Sequence, residues 1–356
     1  MRVNILSPGA KTPNGAAFLF PLWIFKDAFR DRGVDLIFFN EIRDEIADCD
    51  TLLVDSKFHR SFWAEETEEV LSQFSRWSEK TRVVYCDTTD STGSLQAELL
   101  PHIHIYAKSQ LLKEKTQYSE IHYAERLFAD YYHREFGFTD VVPSYSKPVV
   151  NPEQLKKLRL SWNSGFGDHS FSGPFIGLIM RRFNLRSLAR FGAPIATATA
   201  RRDSDISCRF GNNYLRKSVG AQRTLLSRII GVDTSKLGRR AYLYEMARSK
   251  IVLSPFGLGE ITLKDFEAFL CGALLLKPNM SHMETWPNFY VPDVTIKTHN
   301  WELEGIKDLI SYLLANDGER QDIASSGQRL YYDHTLGPNA GEIFSSHFLK
   351  MVAEKQ

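Results

Sequence analysis

The chain has few cysteines: four in 356 residues, at Cys49, Cys86, Cys208 and Cys271, with no C-x-x-C pair among them. That argues against a disulfide framework or a cysteine zinc site, and predicts a reduced, cytoplasmic setting. No uncharged apolar run approaches the roughly 20 residues that span a bilayer. The longest, residues 16–25, is interrupted by Pro21. The first residues, MRVNILSPG, lack the apolar core of a secretory leader. G-x-S-x-G and Walker A sequences are absent, so serine-hydrolase and P-loop chemistry have no motif to rest on. Internal repeats and low-complexity tracts are missing too.

What is present is an ordinary globular composition, 43% apolar and 24% charged. The length suits two domains. The first hundred residues alternate short apolar runs with helical patterns, predicting a parallel sheet with helices on its faces. Strands are expected over 3–6, 35–39, 51–54, 81–86 and 102–107, with helices over 14–32 and 64–78. Three strand ends carry small or polar residues: Ser7-Pro8-Gly9, Asp55-Ser56-Lys57 and Asp87-Thr88-Thr89-Asp90. Ligands bind at such carboxyl ends in open α/β sheets. Residues 113–175 read as irregular connections with a short helix near 152–158, and 176–191 as a helix. A second alternating region follows. It has a strand over 206–210, helices over 213–230 and 239–249, a strand over 294–296, and closing helices over 302–315, 318–332 and from 340 onward.

The net charge of +1 hides a gradient. Between residues 180 and 250 stand sixteen Lys or Arg and four acids, so the rest of the chain is acidic. A basic stretch is consistent with an anionic ligand, although such residues also line solvated helix faces. A nucleic-acid- or polyanion-binding function would use this segment, but it lacks a recognition-helix or aromatic RNA-binding motif.

The most informative stretch is 251–278, IVLSPFGLGEITLKDFEAFLCGALLLKP. An apolar run leads into a loop with Ser254, Gly257 and Gly259. An amphipathic segment then carries Leu263, Phe266 and Leu270 on one face, and Gly272 and a second apolar run close it. This is one βαβ unit. Loop N–H groups and the start of the helix, near Thr262, converge on a place suited to an anion.

The SPFGLGE loop, Phe266-Glu267-Ala268, Cys271-Gly272-Ala273 and the upstream Cys208-Arg209-Phe210-Gly211 together resemble the nucleotide-sugar site of GT-B fold glycosyltransferases. The resemblance is closest to the exostosin-like and group 1 types, and it covers about residues 206–335. It implies an α/β fold of two Rossmann-like domains in tandem with a cleft between them. Residues 1–195 would bind the acceptor and 196–338 the nucleotide sugar, with a helix over 339–356 crossing back to the first domain. It implies a nucleotide-sugar-dependent glycosyltransferase with no metal and no cofactor beyond the co-substrate. Its acceptor would be a glycan or glycolipid, which would also supply any peripheral membrane association, and no nucleic-acid partner is expected. A catalytically inactive glycan-binding relative is the other reading.

Residue by residue, Glu267 falls where these families hold the ribose hydroxyls, and Arg209 where a basic residue meets the diphosphate. Ser254, Gly257, Gly259 and Thr262 complete the donor cradle. Group 1 enzymes often place a glutamate where this chain has Gly259, and Glu260 stands one position later, so the stereochemistry of transfer stays open. Asp87 and Asp90, with Glu260, are the candidate catalytic carboxylates. A carboxylate at that strand end could deprotonate an acceptor hydroxyl. The same residues suit Asx turns equally well. Asp203-Ser204-Asp205 has the D-x-D spacing of a metal motif but precedes its strand, where a cap or surface ion pair is expected.

Overall fold

The computed structural model describes residues 1–10, 12–171 and 192–353. The helix expected over 176–191 lies outside them.

The N-terminal half is built on a six-stranded parallel sheet. Its strands are β1 (Arg2–Leu6), β2 (Asp35–Phe39), β3 (Thr51–Asp55), β4 (Arg82–Asp87), β5 (Ile105–Lys108) and β7 (Leu158–Leu160), in the order β2-β1-β3-β4-β5-β7. Strand β6 (Gln110–Leu112) lies outside this sheet. β3 and β5 are buried along their whole length, which is why they read as continuous apolar runs. Helices α1 (Pro13–Ile24), α2 (Lys26–Asp31) and α3 (Thr67–Ser78) cover the faces. α3 turns Val70, Leu71, Phe74 and Trp77 inward at helical spacing. The single helix expected over 14–32 is divided at Phe25 into α1 and α2, with Pro21 accommodated inside α1.

The C-terminal half has a four-stranded parallel sheet ordered β12-β10-β9-β8. Its strands are β8 (Ser204–Ser207), β9 (Ser249–Leu253), β10 (Leu274–Pro278) and β12 (Lys297–His299). The expected βαβ unit is β9, α7 (Leu263–Cys271) and β10, with β9 and β10 paired in parallel. Gly272 closes α7 in the left-handed conformation (φ 61°), and a Cβ there would lie 2.6 Å from the backbone of Ala198. Two Rossmann-like units of parallel sheet and helix therefore make up the chain.

Three features tie the halves together. Strand β6 pairs antiparallel with β11 (Met283–Thr285). Helix α4 (Leu127–Phe136), in the stretch expected to be irregular, packs into the C-terminal core, Phe128 lying 4.8 Å from Phe256 between ring centroids. After α5 (Ala221–Ile230), α6 (Arg239–Arg248), α8 (Ile306–Ala315) and α9 (Asp317–Thr335), the final helix α10 (Ala340–Val352) returns to the N-terminal core. There Phe344 and Phe348 pack with Phe29, each burial contributing roughly 1.5–3 kcal/mol. The helix expected over 213–230 forms only from residue 221 onward, leaving 211–220 as mostly irregular chain. No helix among the described residues is long and apolar enough to cross a membrane.

Candidate active site

The strand ends of the first sheet and the loop 254–260 of the second half meet face to face. The contact is tight at one point: a Cβ on Gly259 would overlap the backbone carbonyl of Asp90. Only glycine allows this approach. Around it opens a cleft of about 660 Å³, lined from the N-terminal half by Asn14, Lys57, Arg60 and Asp90, and from the opposite side by Arg126, Tyr214, Arg216 and Leu258, among others. A water-sized cavity of about 20 Å³ adjoins it, also bounded by Asn14 and Asp90.

The two aspartates of the 87–90 turn have different fates. Asp87 is buried and accepts from Lys108 Nζ at 2.6 Å, Tyr106 Oη at 2.8 Å and the Thr89 N–H at 2.9 Å. Burial alone would raise its carboxyl, but the Lys108 ammonium outweighs this and holds it below the ordinary range. It is an anchored counter-ion and does not reach the cleft, contrary to the expected catalytic role. Asp90 does reach it. Its Oδ1 accepts from Asn14 Nδ2 at 2.8 Å, and its carbonyl accepts from Gln110.

Glu260, the third expected catalytic carboxylate, is fully buried. Its Oε2 accepts from the Thr92 N–H at 3.0 Å, and Oε1 lies 3.6 Å from His282 Nε2. Burial would raise this carboxyl, yet His282 and Thr92 keep it low. Glu260 is a brace joining the loop to residue 92, and this burial overturns its reading as a cleft catalyst.

The expected donor residues sort in the same way. Ser254 and Thr262 belong to a buried network. Ser254 Oγ donates to Asp265 Oδ1 at 2.6 Å, and Thr262 and Asp265 form a capping box at the start of α7. Lys277 Nζ lies 3.0 Å from Asp265 Oδ2, both side chains fully buried, and Tyr290 Oη donates to the same oxygen. These residues fix the loop and the helix start. The Gly257 N–H is used inside the loop, on the Gly259 carbonyl, so it is not free for a phosphate as expected. Arg209 is spent. Its guanidinium is bidentate on Glu245 (3.0 and 2.7 Å) and pairs with Asp233, which removes it as the expected diphosphate ligand. Glu267 is buried, with Oε1 accepting from Arg239 at 2.8 Å and Oε2 from Tyr242 Oη at 2.9 Å. Each oxygen keeps one lone pair for a hydroxyl donor.

Two cations beside the loop escaped the sequence reading. Arg223, on α5, donates to the Phe256 carbonyl at 2.7 Å and stacks over Tyr214. Lys264, in the first turn of α7, donates to the Arg209 carbonyl and sits over the Phe210 ring. Burial, then the Arg223 charge, brings the Lys264 ammonium down to about 7. A lysine three residues before Glu267 was the available signal.

Several of the other basic residues between 192 and 250 are also engaged. Arg202 donates to the carbonyls of Thr197, Ala247, Ser249, Cys271 and Gly272. Arg248 and Lys250 pair with Asp203 and Asp205, so that D-x-D is a pair of surface ion pairs.

Residues 216–345 match a family model described as glycosyl transferase-like. The match bears out the resemblance read from the C-terminal half and the enzyme class expected from it, a glycosyltransferase. No curated protein matches the chain. Among solved structures, the chain is similar to HepE of Anabaena in complex with UDP-glucose. That likeness has 11% identity and a TM-score of 0.46, over 98% of this chain and 100% of that one. It is also similar to an alpha-glucosyltransferase in complex with UDP (10%, TM-score 0.44, over 99% and 100%) and to a glycosyltransferase from Rickettsia africae (9%, TM-score 0.44, over 99% and 99%). Likeness at this distance says nothing of the donor or acceptor used here.

Proposed function

We propose that the protein moves a sugar from a nucleotide-activated donor to a hydroxyl of a glycan or other acceptor, with Asp90 as the general base. The observation that carries this is the apposition of Asp90 and Gly259, which sets a cleft-facing carboxylate of one half against the loop of the glycosyl transferase-like half. The donor diphosphate would lie by the start of α7, near Lys264 and Arg223, with Glu267 toward the ribose. The acceptor oxygen would attack the anomeric carbon as its bond to the diphosphate oxygen breaks, and the hydroxyl proton would pass to Asp90. Lys264, Arg223 and the helix start would stabilise the charge gathering on the leaving nucleoside diphosphate. Holding both substrates in one cleft supplies the orientation that such a reaction needs.

A panel of nucleoside diphosphates in a thermal-shift assay tests the donor site. One nucleotide at a hundred times its Kd should stabilise the fold by about 2.7 kcal/mol. Stabilisation by none of them would remove the proposal.

A further inference from the structure

The cleft holds more positive charge than a donor diphosphate on the second half would use. Lys57 and Arg60 stand on the N-terminal wall, on the segment that follows β3. Lys57 Nζ donates to the Thr88 carbonyl at 3.1 Å and to Thr88 Oγ1 at 2.9 Å, which fixes its direction and leaves one N–H. Arg60 has no hydrogen-bond or ion-pair partner among the described residues and is exposed. The two are close enough for the Arg60 charge to oppose protonation of Lys57. Burial is the larger cause of that lowering, and Asp55, Asp90 and Asp87 act against it. Of those carboxylates, Asp55 is buried and satisfied by Ser7, Thr88 and the Lys57 N–H. Asp87 is held by Lys108, and only Asp90 shares the cleft. Arg126 and Arg216 form a second cationic pair opposite, with Glu125 at 3.7 Å from Arg216. A cleft of about 660 Å³ has room for a sugar as well as a charged group.

We infer that the acceptor is anionic, bearing a phosphate or carboxylate gripped by Lys57 and Arg60 while its hydroxyl faces Asp90. This rests on the glycosyltransferase reading and adds the acceptor's chemical class. An exposed, unpartnered guanidinium beside a fixed ammonium is a two-pronged oxyanion receptor.

The test is calorimetric binding of glucose 6-phosphate, glucuronate and glucose to the full chain saturated with the nucleoside diphosphate that stabilises it. At least one of the two anionic sugars should bind about tenfold or more tightly than glucose, an advantage that weakens with salt. Arg60→Ala should remove about tenfold of it, Arg60→Glu more, and Arg60→Lys should restore part, with nucleotide affinity unchanged throughout. Equal binding of all three sugars, or no binding, would overturn the inference. So would loss of nucleotide affinity in Arg60→Ala, because Arg60 would then serve the donor. Failure of the wild-type protein to bind any nucleoside diphosphate would sink the glycosyltransferase reading itself, a different result.

Discussion

Two buried lysine–aspartate pairs stand on opposite sides of the cleft. Lys108–Asp87 lies under the 87–92 turn of the first half, and Lys277–Asp265 under the 254–262 loop of the second. In each, the lysine comes from the C-terminal end of a strand, β5 or β10, and a tyrosine hydroxyl, Tyr106 or Tyr290, donates to the aspartate. The difference is in what each aspartate holds. Asp87 fixes a turn that sends Asp90 into open space, whereas Asp265 caps a helix whose first turn carries Lys264. The lesson is that full burial and full pairing mark residues that position the chemistry. The candidates for the chemistry itself lie one to three residues away.

Breaking a pillar should have the largest effect. Lys277→Met or Lys108→Met leaves an uncompensated buried carboxylate, and chemical denaturation should show a loss of about 3–5 kcal/mol. If Asp87 were instead a free base, Lys108→Met would leave stability nearly intact and alter the pH profile of activity. The next effect is at the seam between the pillars. Gly259→Ala places a methyl against the Asp90 carbonyl, and should cost about 1–3 kcal/mol and most of the turnover. Unchanged activity would show that the two turns need not touch.

Lys264 sharpens the comparison through pH. Its ammonium is fully charged below about pH 6 and titrates near 7 in the ligand-free protein. Binding a diphosphate would re-protonate it, so affinity for a nucleotide sugar should fall about tenfold between pH 6 and pH 8. The sign for stability is opposite. The unfolded chain keeps this proton up to about pH 10, so the group adds stability to the ligand-free fold as pH rises through 7. Lys264→Arg should flatten the affinity profile, and a flat profile in the wild-type protein would place Lys264 away from the diphosphate. The smallest effect belongs to Arg209→Ala. With Glu245 and Asp233 already occupying its guanidinium, nucleotide affinity should change less than threefold, and stability by about 1 kcal/mol.

The sequence shows the sheets because apolar runs such as 51–54 and 273–276 need no partner to be recognised. It shows the 254–267 unit because a glycine loop between an apolar run and an amphipathic segment leaves a local signature. It cannot separate Asp87 from Asp90. Both sit among threonines and serines, and only Lys108, eighteen residues beyond the second aspartate, decides which is neutralised. Arg209 looks like a phosphate ligand until Glu245, from helix α6, is placed beside it. The cleft walls at 57–60, 126 and 213–219 are largely loop residues without periodicity, so their convergence emerges only from the packing of the two halves.

The central claim is that Asp90 takes the acceptor proton while the second half holds the donor. Wild-type protein and Asp90→Asn should be compared for release of nucleoside diphosphate from the nucleotide sugar that binds, with the anionic acceptor present. The account predicts equal donor affinity and a kcat lower by roughly 10²–10⁴ in the variant. Equal kcat values, or no consumption of any nucleotide sugar by the wild-type protein, would contradict it.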